Sequence, residues 1–205
     1  MIKQSSTSKN QITALQQSEK ILEGIEHFVF FGTLLGLTRE GRPISGDDDI
    51  DYYVKKSEQD LLLSRLSSMG IQIDRSVPWN KSSDFFQIFL QTDSTETAVD
   101  FYFYEDDANR DYIWDRWNFS GTPDKQSTWM KTPSPFIFPL QIETFDSVTT
   151  FVPNKKKLTC EWLYGSSWQT PKKKKLQYQI KVIAGKPMMF ELDIQSENKK
   201  FHLAP

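Results

Sequence analysis

Residues 44–54 read ISGDDDIDYYV and set Asp47, Asp48, Asp49 and Asp51 at the mouth of a β-branched and aromatic run with strand propensity. Alternate side chains of a strand share a face, which puts Asp47, Asp49 and Asp51 on one side and Asp48 with Ile50 on the other. Carboxylates two residues apart lie ~7 Å apart along a strand, near enough for their oxygens to converge on one hard cation or a close pair. Left bare, such a pair repels by ~4 kcal/mol at about 4 Å in a protein-like dielectric, and a divalent ion reverses the sign. The pattern therefore asks for Mg²⁺ or Mn²⁺. Asp100, in AVDFYF, is a further acid set among apolar residues of a later strand, where it needs a partner, and it is the candidate third ligand.

Two other readings of the run are a solvated acidic turn and a calcium loop. Counting Asp47 as the first loop position puts Asp49, Asp51 and Glu58 at ligand positions, but Tyr52 stands where the sharp turn needs glycine and no helix precedes Asp47. The strand context and the isolated Asp100 favour a metal-binding row.

Upstream, Ile12, Leu15, Ile21, Leu22 and Ile25 recur at helical spacing and predict an amphipathic helix reaching His27. A short strand follows over Phe28–Phe31. Gly32 then allows close backbone approach, and Thr33 is expected to cap a short helix, so its amide and hydroxyl suit phosphate binding. Beyond the aspartates, SEQDLLLSRLSSMG predicts a helix with Ser57 as cap and Gly70 at its end. The segments IQIDRSV, DFFQIFLQT and TAVDFYFYE alternate as three strands of an antiparallel or mixed sheet. Residues 105–139, rich in Trp and Pro, are expected to be irregular and functional. A hairpin over QIETFDSVTTFVP, a helix over NKKKLTCEWLYG and one or two final strands complete an α+β chain. The expected units are an N-terminal helix (1–27), a catalytic domain (28–171) and a C-terminal β extension packed on it (172–205).

Composition narrows the function. A chain of 205 residues with formal net charge −2 shows no overall preference for nucleic acid. Cys160 is the single cysteine, which excludes an internal disulfide and a multi-thiolate zinc site and suits a reducing compartment. The first residues lack the apolar core of a signal peptide, and no stretch of roughly 18 apolar residues follows. A cytoplasmic protein that at most touches a membrane surface is expected. PKKKKLQ, at 171–177, could favour an anionic surface, although a solvated loop accounts for it as well.

The block GTLLGLTREGRPISGDDDIDYYV resembles the signature of the LicD and fukutin-related family of phosphotransferases, whose catalytic domain has the nucleotidyltransferase fold. VDFYFY, PFIFPLQIETFDSVTTFVP and LYGSSWQTP extend the resemblance in order over roughly residues 28–171. It implies a nucleotidyltransferase-like mixed sheet flanked by helices, and transfer of a phosphorylated small alcohol, such as phosphocholine or a polyol phosphate, from a CDP-activated donor to a glycan or glycolipid hydroxyl. It also implies Asp49 and Asp51 as central metal ligands with Asp47 assisting, and Asp100 as the fold's third carboxylate. Gly32, Thr33 and Arg39 fall at the donor phosphates, although Arg39 is equally suited to a surface ion pair with Glu40. Gly46 replaces the aromatic or histidine common before the acidic run. Two alternatives stay open: transfer of the nucleotide itself, and a non-catalytic carbohydrate-binding module with Trp114, Trp117 and Trp129 as a stacking platform.

Overall fold

The computed structural model describes residues 6–76, 78–93, 95–115, 130–171, 178–183, 186–192 and 199–203. Helix α1, Ser6–Ile21, buries Ala14, Leu15, Ser18 and Ile21, a stripe at helical spacing. It stops short of the expected His27. The Ile25 amide donates to the Leu22 carbonyl at 2.9 Å, and Gly24 takes a left-handed φ of 72°, so the chain turns and His27 instead opens β1.

Strand β1, His27–Val29, leads into α2, Phe31–Glu40, and then β2, Asp49–Lys55. A single 3₁₀ turn, Lys56–Glu58, takes up Ser57, so α3, Gln59–Ser68, starts after Glu58 and has no side-chain cap. Gly70 (φ 72°) follows its end, as the sequence suggests. Strands β3, Phe85–Gln91, and β4, Glu96–Asp106, appear as expected; β5, Tyr112–Asp115, and β6, Met130–Pro133, bring order into the segment read as irregular. The short helix α4, Ser134–Ile137, the hairpin of β7, Gln141–Phe145, with β8, Val148–Val152, and α5, Lys156–Tyr164, follow. Strands β9, Tyr178–Ile183, β10, Lys186–Leu192, and β11, Lys199–Leu203, form an antiparallel sheet of three rather than one or two strands. Trp117, Trp129, the lysine run 172–175 and the side chains of Met188, Met189 and His202 lie outside the described residues.

The main sheet is mixed. Its order is β1-β2-β4-β5-β6, with β3 also on β4; β2 and β4 run parallel and the other pairs antiparallel. The strand expected over IQIDRSV is absent along residues 71–76. On the outer edge of β3, where a further strand would pair, the Asn80 side chain takes the Gln87 main chain instead, accepting from its amide at 2.7 Å and donating to its carbonyl at 3.1 Å. Ile71 and Ile73 of the segment still pack against the core, which produces the alternating pattern without a ladder.

The sheet is flanked on both faces. Ile50, Tyr52, Val54, Phe86, Val99 and Phe101 lie on the face toward α1, where the Tyr52 hydroxyl donates to Glu19 at 2.8 Å. Asp51, Tyr53, Asp100 and Tyr102 lie on the other, where Tyr53 stacks on Phe30 with ring centroids 4.1 Å apart at the entrance of α2. The architecture is α+β, a mixed sheet between helices. Among the described residues no helix is long and apolar enough to cross a membrane.

Candidate active site

Three hydrogen bonds join the first turn of α2 to β2. The Phe30 amide donates to the Asp51 carbonyl at 3.0 Å, the Asp51 amide donates to Thr33 Oγ1 at 2.8 Å, and the Thr33 amide donates to Asp51 Oδ2 at 3.3 Å. Because α2 begins at Phe31, Thr33 sits inside its first turn and is not the cap; Phe30 is, without a side-chain cap bond. The Thr33 amide is one of those a helix start leaves without a helical partner, and a carboxylate is a favourable one. The two groups read as suited to phosphate thus engage Asp51. At Gly32, an added Cβ would stand 2.9 Å from Asp47 Oδ2 and 3.2 Å from Asp51 Oδ2. The close approach expected at Gly32 is therefore made by carboxylates.

The parallel register sets Asp51 directly beside Asp100, and the antiparallel register sets Asp100 beside Gln87 of β3. One carboxylate oxygen each from Asp49, Asp51 and Asp100 lies within 4.8 Å of the other two. Asp47, Asp48 and Asp49 form a second such group, which corrects the expected alternation. Regular strand begins only at Asp49, so Asp47 and Asp48 belong to the preceding turn and Asp48 is not directed away from its neighbours. Asp48 is exposed, Asp47 and Asp49 are half-buried, and Asp51 and Asp100 are only 6% and 7% exposed.

Burial sets the electrostatics. It raises the Asp51 carboxyl well above the usual range, and the charges of Asp49, Asp100 and Asp47 raise it further against the opposing Thr33 amide. Asp100 is pushed up to about 7, by burial first; Gln87 Nε2, donating to Oδ1 at 2.7 Å, opposes the shift and the charge of Asp49 adds to it. The Tyr102 hydroxyl donates to Asp100 Oδ2 at 3.4 Å, and burial and then Asp100 raise its own ionisation. Tyr164, at the end of α5, is raised by burial and then by Asp51. A set of carboxylate oxygens is the donor set Mg²⁺ and Mn²⁺ prefer, and a divalent cation there would offset the charge that burial disfavours at Asp51 and Asp100.

The structure thus brings together Gly32, Thr33, Asp47, Asp49, Asp51 and Asp100. Arg39 is given to Glu40, with Nη2 donating at 2.6 Å and Nε at 3.1 Å, which is the ion-pair alternative. Sequence reasoning missed Gln87, Tyr102 and Tyr164. Tyr102 could have been found two residues after Asp100 on the same strand face, whereas Gln87 and Tyr164 reach the site only through pairing and packing between distant segments.

A family profile described as "LicD/FKTN/FKRP, nucleotidyltransferase domain" matches residues 24–155. No curated protein sequence matches the chain. Among solved structures, the lincomycin-bound lincosamide antibiotic adenylyltransferase LnuA is similar at a TM-score of 0.44 and 12% identity, over 75% of this chain and 82% of that one. The profile spans more than half of the chain, including both strands that carry the buried aspartates, and the chain belongs to the LicD/FKTN/FKRP family of transferases, with its nucleotidyltransferase domain.

Proposed function

We propose that this protein transfers a phosphorylated small alcohol from a CDP-activated donor to a glycan hydroxyl, releasing CMP. The observation that carries the reading is the Asp49–Asp51–Asp100 group at the first turn of α2, two of its three carboxylates buried, in a chain of this family. Asp49, Asp51 and Asp100 would hold the ion, with Asp47 assisting. When bound, Mg²⁺ or Mn²⁺ supplies charge neutralisation for the donor's phosphates. Thr33 fixes the Asp51 carboxylate, Gln87 fixes that of Asp100, and Gly32 leaves room for Asp47. The acceptor oxygen bonds to the alcohol's phosphorus as the bond to CMP breaks, and a carboxylate of the site takes the hydroxyl proton. Arg39 joins the donor phosphates by exchanging Glu40 for them. The reaction is assigned to the cytoplasm, with contact to a membrane surface where the acceptor is a glycolipid.

A second reading, transfer of the nucleotide itself, is favoured by the domain description of the family. Incubation with CDP-choline or CDP-ribitol, Mg²⁺ and a glycan acceptor should release CMP. Pyrophosphate from a nucleoside triphosphate, with CDP-alcohols inert, would replace the first reading by the second.

A further inference from the structure

At the far end of the sheet a groove of about 520 Å³ is lined by Glu26, Lys55, Asp106, Arg110, Ser134 and Phe138 among others. Lys55 ends β2 and Asp106 ends β4, so the groove lies ~13 Å along β2 from Asp51 and ~20 Å along β4 from Asp100.

Two of its charges are already matched. Lys55 Nζ donates to Glu26 Oε1 at 3.1 Å, and the Tyr104 hydroxyl donates to the same carboxylate. Two are not. The exposed Arg110 guanidinium and Asp106 carboxylate make no hydrogen bond or ion pair among the described residues. Arg110 also holds a left-handed φ of 59°, in a turn closed by its amide donating to the Asp107 carbonyl at 3.0 Å. That conformation is uncommon for a residue other than glycine.

The lining therefore offers a fork of donors and a carboxylate acceptor beside the apolar surfaces of Phe138 and Pro135. Its formal charge is zero, Lys55 and Arg110 against Glu26 and Asp106. A phosphate or other anion would meet two carboxylates, and a cation two basic groups. A neutral ring carrying several hydroxyls and an apolar face matches every element. We propose that this groove is a saccharide-binding site separate from the carboxylate centre. The inference stands on the groove's own chemistry; taken with the proposed function, it makes the groove an anchor for sugars of the acceptor remote from the reacting hydroxyl.

The test is titration of the isotopically labelled full chain, without added metal, with three neutral trisaccharides (chitotriose, maltotriose and a β-galactotriose) and with inorganic phosphate and choline as charged probes. At least one trisaccharide should shift backbone amides in 106–110 and 134–138 at millimolar concentration. Arg110→Asn, which tolerates the left-handed backbone, and Asp106→Asn should each weaken that binding about tenfold. Asp106→Asn removes an exposed carboxylate that makes no protein hydrogen bond or ion pair among the described residues and should leave the melting temperature unchanged, so its binding loss cannot be a folding defect. Asp51→Asn should bind the saccharide as the natural chain does, which separates this site from the proposed reaction. Silence of those amides toward all three trisaccharides, a response to phosphate or choline alone, or undiminished binding in both groove variants would overturn the proposal.

Discussion

Two groups of carboxylates share Asp49 and differ in almost everything else. Asp47 and Asp48 sit in a turn, half-buried and exposed, where water screens their charge and the acids cost little. Asp51 and Asp100 are fixed side by side by strand register and nearly buried, and their carboxyls are driven toward the neutral form. Charge density in sequence is thus a poor guide to where charge is expensive. The costly acids are those the sheet pairs and desolvates, and a structure that keeps such a pair stores a demand for a cation.

Asp51→Asn should separate the two groups most sharply. It removes a buried charge from the paired row, so Mg²⁺-dependent transfer should fall on the order of a thousandfold. The metal-free melting temperature should rise at the same time; loss of both activity and stability would mean that Asp51 is structural. The next largest effect is on pH. An ordinary carboxyl in the unfolded chain ionises near 4, whereas Asp100 in the folded chain ionises at about 7, so the folded state holds the extra proton between those values. The Asp100 contribution to metal-free stability should therefore fall as pH rises from about 4 to 7, by up to roughly 4 kcal/mol, and the raised Asp51 carboxyl acts in the same direction. Saturating Mg²⁺ should abolish the trend, and denaturant melts across that range with and without the ion check it.

Two glycines of α2 give a smaller contrast. A Cβ at Gly36 would stand 2.8 Å from the Ile44 amide nitrogen and 2.9 Å from the Arg42 carbonyl oxygen, both main chain of the loop that carries the turn group. Gly36→Ala should cost about 1–3 kcal/mol in denaturant melts. A Cβ at Gly32 meets only the movable end of Asp47 and the Asp51 carboxylate, so Gly32→Ala should change stability little and show its effect in metal affinity. The smallest effect belongs to Asp48→Asn, which should keep transfer activity within about twofold because its exposed charge is screened.

Much of this was legible in the sequence because it is local. Alternation marks β3 and β4, the acidic run marks the entrance to β2, and Asp100 stands out as an acid among apolar residues. What failed was what depends on distant segments. IQIDRSV alternates like a strand because Ile71 and Ile73 pack on the core, yet residues 71–76 join no ladder, and Gln87 looks like any polar residue of a half-exposed strand until register sets it on Asp100. Helix starts failed for a related reason. Thr33 has the chemistry of a cap, yet Asp51 draws it into the first turn of α2, and that contact joins two elements.

Calorimetric titration of Mg²⁺ into the natural chain, Asp51→Asn and Asp48→Asn tests most directly whether the buried row, and not the acidic turn, holds the ion. One saturable site in the natural chain, kept in Asp48→Asn and lost in Asp51→Asn, is the predicted result. No binding to the natural chain, or binding that survives Asp51→Asn and disappears with Asp48→Asn, would contradict it.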